Sequence, residues 1–316
     1  MIMHRISLSK LAILFSLIAI CVIFCGLFIN SAPLKQQVHE TFHCYNTPVE
    51  IPESVEFAGE KVSLGNFDVR EALDRELLVN SYFQSQTILY LKKARRYFQI
   101  IGPILKQNNI PDDFKYLCLA ESGFQERITS PAGATGLWQL MKKAATENGL
   151  EVSNEVDERL NMEKSTAAAC RYLKHAYKLY GSWTIVAASY NAGINGIKRQ
   201  ADLQDSKNYF ELLLNEETSR YVYRILALKV ILENPEKYGF KVTEEEKYPV
   251  LKCRQVTLSG SVSNLAEYAH NQGINYKMLK YFNPWLKQSY LKNPAKKSYL
   301  LKIPEPGTRT FVPAKN

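Results

Sequence analysis

Hydrophobic positions recur at helical spacing from about residue 67 to residue 240, and no stretch of alternating residues interrupts them. Val69, Leu73 and Leu77 mark one helix face, and Ala94, Tyr97, Phe98, Ile101, Ile104 and Leu105 mark a second. Gly102-Pro103 within that second segment predicts a kink or a restart, because proline lacks the N–H and crowds the preceding turn. A third helix is expected from Pro111, with Asp112 and Asp113 in its first turn and Gly123 closing it. Lys142 to Asn148 reads as a short helix stopped by Gly149. Asn161 can cap the next, whose face is Ala169, Leu173, Ala176 (or Tyr177) and Tyr180, stopped by Gly181. Ser182 caps another carrying Trp183, Val186, Ala187 and Tyr190 on one face. The last helix of the series carries Tyr221, Ile225, Leu228 and Leu232 and ends at Asn234-Pro235. The pattern predicts a mainly α domain over residues 62–240.

From Tyr248 the texture changes. Val256-Thr257-Leu258 reads as a strand, Asn264 to Gln272 and Tyr276 to Tyr281 as two helices, and Tyr299 to Pro304 as a closing strand. This predicts a small α+β module over residues 248–305, with 306–316 as a tail. The chain of 316 residues is long enough for both parts. Residues 31–61 have scattered prolines and glutamates and no sustained period, so they read as a linker.

The net charge of +9 comes from 40 basic against 31 acidic residues. No zinc-finger spacing or RNA-binding signature accompanies it, so nucleic acid is not the expected partner; an anionic polymer, a membrane surface or a merely soluble surface fits. Leu11 to Ile29 is a run of nineteen residues without charge or proline, preceded by His4, Arg5 and Lys10. Residues 1–30 are therefore expected to be a membrane anchor, with the rest of the chain on the export side. A cleaved signal peptide is the alternative, and Pro33 after Ser31-Ala32 makes a poor cleavage site. Cys21 and Cys25 lie in the run, behind Ile20 and Phe24, where lipid attachment would call for small residues. Cys44, Cys118, Cys170 and Cys253 show no C-x-x-C spacing. His39, His43 and Cys44 sit in the proline-flanked linker, a poor setting for a metal, and neither metal nor cofactor is expected.

Candidate chemistry centres on Glu121. Phe114, Leu117, Cys118 and Glu121 share one face of the third helix, so a carboxylate stands where a core residue is due. Burial would raise its pKa toward the range of a general acid; the alternative is a helix-end Glu whose head reaches water. Glu126 is expected to point to solvent, and Asp157 with Arg159 to form a structural pair. No second carboxylate is evident, whereas ordinary glycosidases use two.

Glu121-Ser122, then Gly136-Leu137-Trp138-Gln139, then Tyr190-Asn191-Ala192-Gly193 resemble, in order and spacing, the motifs of the lytic transglycosylases of glycoside hydrolase family 23, with goose-type lysozymes as distant relatives. The likeness runs from about Phe67 to Leu232, and Tyr221 after Glu217-Thr218-Ser219-Arg220 matches a fourth position. It implies a lysozyme-like helical domain around a cleft, acting on peptidoglycan. Glu121 alone would serve as acid and then base in nonhydrolytic cleavage that leaves a 1,6-anhydro end. Ser122 would orient that carboxylate. Gln139 would bond sugar groups, and Trp138 would either stack on sugar or fill the core. Tyr190 and Asn191 would fix sugar across the cleft, with Tyr221 near Glu121. Ser189, Asn161 and Lys142 depart from the usual residues at their positions but touch no reacting group.

Residues 248–305 resemble a LysM module, most clearly at Leu265-Ala266, Ile274 to Leu279, Asn283-Pro284 and Ile303-Pro304. Ser259-Gly260-Ser261-Val262 replaces the family's usual sugar-binding turn, so the module is expected either to bind glycan or to buttress the catalytic part. A lysozyme-type hydrolase and a catalytically silent wall tether are the competing readings. The expected location is the cell envelope, with the catalytic domain in the periplasm; protein partners are not legible.

Overall fold

The last long helix before residue 240 is one that three others pack against. The computed structural model describes residues 47–310. The expected anchor or signal segment, most of the linker, residues 311–316 and Cys21, Cys25, His39, His43 and Cys44 lie outside them. Among the described residues no helix is long and apolar enough to cross a membrane. Residues from Pro48 onward form one compact unit of mainly α class.

Its helices are α1 (Phe67–Tyr82), α2 (Gln84–Gln107), α3 (Phe114–Ser122), α4 (Lys142–Glu147), α5 (Met162–Tyr180), α6 (Trp183–Ala192), α7 (Ile194–Gln204) and α8 (Glu216–Glu233). Helix α8 packs against α1, α3 and α6. It is buried on almost every side, from Tyr221 through Ile231, whereas the sequence pattern pointed to one apolar face. Its Lys229 is buried as well, donating to Asp113 Oδ2 (2.7 Å) and Glu56 O (3.0 Å). Asn161 and Ser182 cap α5 and α6 as expected, and Gly181 closes α5 in the left-handed conformation.

Two expectations are corrected, and of the kink or restart expected at Gly102-Pro103 the restart does not occur. Helix α2 runs unbroken through Pro103. Both Pro103 and Gln99, whose carbonyl loses its donor, are exposed, so water can replace the missing bond. Helix α3 begins at Phe114, not Pro111, and Asp113 accepts from Ala58 N–H (2.7 Å) and Lys229 instead of capping it. Residues 48–61 are not linker. They contain a hairpin, β1 (Glu56–Phe57) with β2 (Glu60–Lys61), turning through Ala58 and Gly59 at positive φ. Phe57 is fully buried against Phe114 (5.2 Å between ring centroids), and Val55 also enters the core. Two-residue strands are too short to show a period, which is why the pattern missed them.

The hairpin also reaches the helix bearing Tyr190 and Asn191. Glu60 accepts from the backbone N–H groups of Trp183 and Thr184 (2.9 Å for Thr184) and from the hydroxyls of Ser182 (2.9 Å) and Thr184 (2.8 Å). A carboxylate thus meets the positive end of α6, where the first N–H groups have no partner within the helix.

In the C-terminal module β3 (Cys253–Leu258) pairs antiparallel with β4 (Tyr299–Pro304), from Cys253↔Pro304 to Leu258↔Tyr299. Helices α9 (Leu265–Asn271) and α10 (Tyr276–Phe282) pack on them, capped by Asn264 and Asn275. Buried Asn283 ties the end of α10 to β4 by exchanging bonds of 2.8 Å with Lys302 O and N–H. Leu265, Leu279, Trp285, Leu301 and Ile303 form its separate core.

Candidate active site

Glu121 lies on the last turn of α3, just before Gly123 reverses the chain at φ +57°. A Cβ at Gly123 would stand 2.9 Å from the Tyr90 ring of α2, so a bare backbone is needed for that approach. From α8, the Tyr221 hydroxyl donates to Glu121 Oε1. Burial pushes the Glu121 carboxyl up to about 7; the Tyr221 bond opposes this, Glu217 adds to it and Arg224 opposes it. The hydroxyls of Tyr221 and Tyr190 are themselves raised, chiefly by burial and then by the Glu121 charge, and so stay protonated. Three elements thus converge on one carboxyl that can hold or release a proton near neutral pH.

The remaining expected residues serve less directly. The Tyr190 hydroxyl donates to Trp138 O (2.7 Å), fastening α6 to the loop that bears Gln139, and its ring meets Tyr172 edge-on at 5.3 Å. Asn191 Nδ2 donates to Glu217 Oε1 (3.0 Å), and its Oδ1 accepts from Thr218 Oγ1 (2.8 Å), so it ties α6 to the first turn of α8. Gln139 is half-buried at φ +44°, with its Nε2 on Gly136 O (2.8 Å). Nε2 also donates to Ile128 O (3.4 Å), so the amide N–H groups are turned to the backbone around the loop.

Of the two readings of Trp138 the structure fits the core one, and the bond expected of Ser122 is corrected. Trp138 is fully buried, its Nε1 donating to Thr166 Oγ1 (2.9 Å), so neither ring face is open to a sugar. Ser122 is buried and donates back along its own helix to Cys118 O (3.2 Å), not to Glu121. Glu126 accepts from Tyr97 OH (2.8 Å) and is half-buried rather than solvated. Asp157 and Arg159 do form the expected structural pair, through both carboxylate oxygens (2.9 and 2.8 Å).

Sequence reasoning missed Glu217, Arg224 and Tyr90. The first two had a signal: Glu217, Tyr221 and Arg224 fall at i, i+4 and i+7, on one side of α8. Arg224 is oriented from behind by buried Glu76 of α1 (3.9 Å), which also pairs with Arg220 (2.8 Å). Among the described residues, no group of three or more His, Cys, Asp or Glu side chains could hold a metal.

Residues 99–213 match the family described as the transglycosylase SLT domain, and residues 254–307 match the soluble lytic transglycosylase C-terminal LysM-like domain. Over 243 residues the chain is 31% identical to membrane-bound lytic murein transglycosylase D of Escherichia coli, covering 74% of this chain and 52% of that protein. Over 117 residues it is 31% identical to the soluble lytic murein transglycosylase of Salmonella typhimurium, covering 34% of this chain and 18% of that one. The crystal structure of the 70 kDa soluble lytic transglycosylase of Escherichia coli aligns with a TM-score of 0.39 at 22% identity, over 46% of this chain and 26% of that one. The chain spans about half the length of the first of these relatives. The chain thus carries a transglycosylase SLT domain followed by a soluble lytic transglycosylase C-terminal LysM-like domain.

Proposed function

We propose that this chain cleaves the β-1,4 bond between MurNAc and GlcNAc in peptidoglycan without water, leaving 1,6-anhydroMurNAc ends. The observation that carries this is the Glu121 carboxyl, raised to about 7 by burial and held by Tyr221. Protonated, it gives its proton to the leaving glycosidic oxygen as the C1–O bond breaks. As the carboxylate it then takes the proton of the sugar's 6-hydroxyl, whose oxygen bonds to C1. One residue therefore serves both halves, and the proton it lends is returned. That two similar proteins are named murein transglycosylases supports the same substrate. Tyr221 orients the carboxyl; Tyr190, Asn191 and Gln139 shape the wall around it.

The test is to digest purified peptidoglycan with the full chain and weigh the products. Anhydro-muropeptides, lighter by one water than reducing ones, are expected. Reducing ends would favour a second reading, hydrolysis, which one observation supports: Glu217 is a second carboxylate close enough to raise Glu121. In that case Glu217→Gln would abolish product release. Under the transglycosylase reading it leaves the anhydro product in place.

Tyr221→Phe gives a signed prediction. The hydroxyl holds the Glu121 pKa down, so its removal moves the alkaline limb of the pH–rate profile to higher pH. Turnover should fall about tenfold, the equivalent of one hydrogen bond to a charged group. A limb that moves to lower pH would refute this role.

Residues 62–240 are assigned to the catalytic domain, joined by the hairpin before them, and 248–305 to the LysM-like module. Residues 1–30 are proposed to anchor the chain in the inner membrane, with the catalytic domain in the periplasm; a relative described as membrane-bound supports this. Retention of the chain in salt-washed membranes, or its release as a shortened form, separates an anchor from a cleaved signal.

A further inference from the structure

The segment from residue 151 to 161 faces two ways. On one side it docks the C-terminal module. Asp157 N–H donates to Trp285 O (2.9 Å), Lys287 N–H donates to Glu155 O (2.8 Å), and Val156 bridges to Leu286. Val156 is 1% exposed and belongs to the module's apolar cluster, not to the catalytic core. Side chains edge the joint: Glu155 Oε2 accepts from Lys292 N–H (2.7 Å), and Glu151 Oε2 accepts from Lys297 Nζ (2.9 Å) and Tyr299 OH (3.1 Å).

On its other side the same segment grips the loop that carries Gln139. Asp157 fixes the Arg159 guanidinium, and Nη1 of Arg159 then donates to Gly133 O (2.9 Å) and Leu140 O (3.1 Å), the two ends of that loop. The Arg159 carbonyl lies against the loop's middle, where a Cβ on Gly136 would stand 2.2 Å from its oxygen. The loop has positive φ at Gly133, Gly136 and Gln139. Its own bonds (Thr135 N–H to Leu140 O, 3.2 Å, and Gly136 N–H to Ile128 O, 2.9 Å) and isolated bridges of Thr135 hold it locally, and the bonds from Arg159 fasten both its ends from outside.

We propose that the LysM-like module is a working part of the catalytic site: through Asp157 and Arg159, acting as positioning residues, its docking sets the loop 133–140 and with it Gln139. The guanidinium is suited to this because its planar fork bonds a carboxylate and two carbonyls at once. The module's own loops fit such a role. Its 287–292 stretch is engaged with Asn154 and Glu155 through Gln288, Lys287 and Lys292. Val262 and Leu291 close the two loops on each other by a pair of backbone bonds of 2.7 and 2.8 Å.

The test is hydrogen exchange on the full chain, with kinetics beside it. The Glu151→Ala/Glu155→Ala double variant removes the edge bonds from two half-buried side chains, and Val156→Asp puts a charge into the joint. Amides of Thr135, Gly136 and Gln139 should exchange roughly tenfold faster in both, with α3 and α8 unchanged. Arg159→Lys, which keeps the charge but loses the fork, should do the same with the joint intact. KM should rise severalfold while kcat changes less, since Glu121 and Tyr221 do not touch the joint. Loosened amides at 285–292 in Val156→Asp, with wild-type protection at 133–140, would overturn the proposal. The kinetic arm rests on the transglycosylase reading, but exchange does not. A chain that releases no muropeptides would therefore sink that reading and leave the exchange result to judge this one.

Discussion

Replacing Glu121 by glutamine is expected to lower turnover roughly 1,000-fold and, at the same time, to stabilise the fold above neutral pH. The first effect follows from the double duty of one carboxyl. A general acid or base typically contributes about 100- to 10,000-fold, and here one residue would serve in both capacities. Glutamine keeps the shape and can still accept from Tyr221, so loss of activity would report lost proton transfer rather than a collapsed site. Residual turnover above a tenth of the wild type would remove Glu121 from the mechanism.

The second effect follows from linkage. Below pH 4.5 the carboxyl is protonated whether the chain is folded or not, and it contributes no difference. Between 4.5 and about 7 the folded chain binds more protons than the unfolded one, so stability falls as pH rises. Above about 7 the full cost of a buried charge is present, at most about 3 kcal/mol for a shift of that size. Contact with the cleft solvent lowers this bound. Glutamine carries no such cost. Denaturant unfolding should therefore show the variant and wild type level at pH 4 and the variant more stable at pH 8.5. An equal gap at both pH values would mean that the difference is packing, not charge. The site would then be a place where stability is given up for a proton that can move.

What the chain reveals before folding depends on how local each cause is. The caps at Asn161 and Ser182, the closing Gly181 and Gly123, and the module's strands and helices are set by neighbours within a few residues, and these were legible. The placement of Glu121 was legible too, because a polar residue on an apolar face is a local contradiction. Long-range causes were not. Glu60 completes the start of α6 from more than 120 residues away, and nothing around it marks it as a cap. Trp138 and Ser122 carry the motif's residue types, but a type does not say whether a ring or hydroxyl turns inward. Glu217 and Arg224 lay on the right side of α8 and were passed over, because Tyr221 alone matched a known pattern. The hairpin before α1 fell below the length at which periodicity speaks.

The other large effect expected is Gly136→Ala, which should destabilise the fold by about 3 kcal/mol or more and displace Gln139. Two costs combine there. At φ +81° an alanine pays about 1 kcal/mol for the left-handed backbone alone. Its Cβ would also stand 2.2 Å from the Arg159 carbonyl oxygen, a backbone atom that cannot swing aside as a side chain would. Either the loop or the Asp157–Arg159 segment must move, and both are tied down, by Gly136 N–H on Ile128 O (2.9 Å) and by Asp157 N–H on Trp285 O (2.9 Å). Gly133→Ala separates the two costs: its φ is +89° but nothing lies within 4 Å of a Cβ there. It should cost only the backbone strain, about 1 kcal/mol, and leave KM near the wild-type value. Unfolding midpoints and KM for the two variants side by side decide the matter. Equal losses would mean that strain alone governs both glycines. A much larger loss at Gly136, with KM raised, would mean that the close approach between this loop and Arg159 is what holds Gln139 in the site.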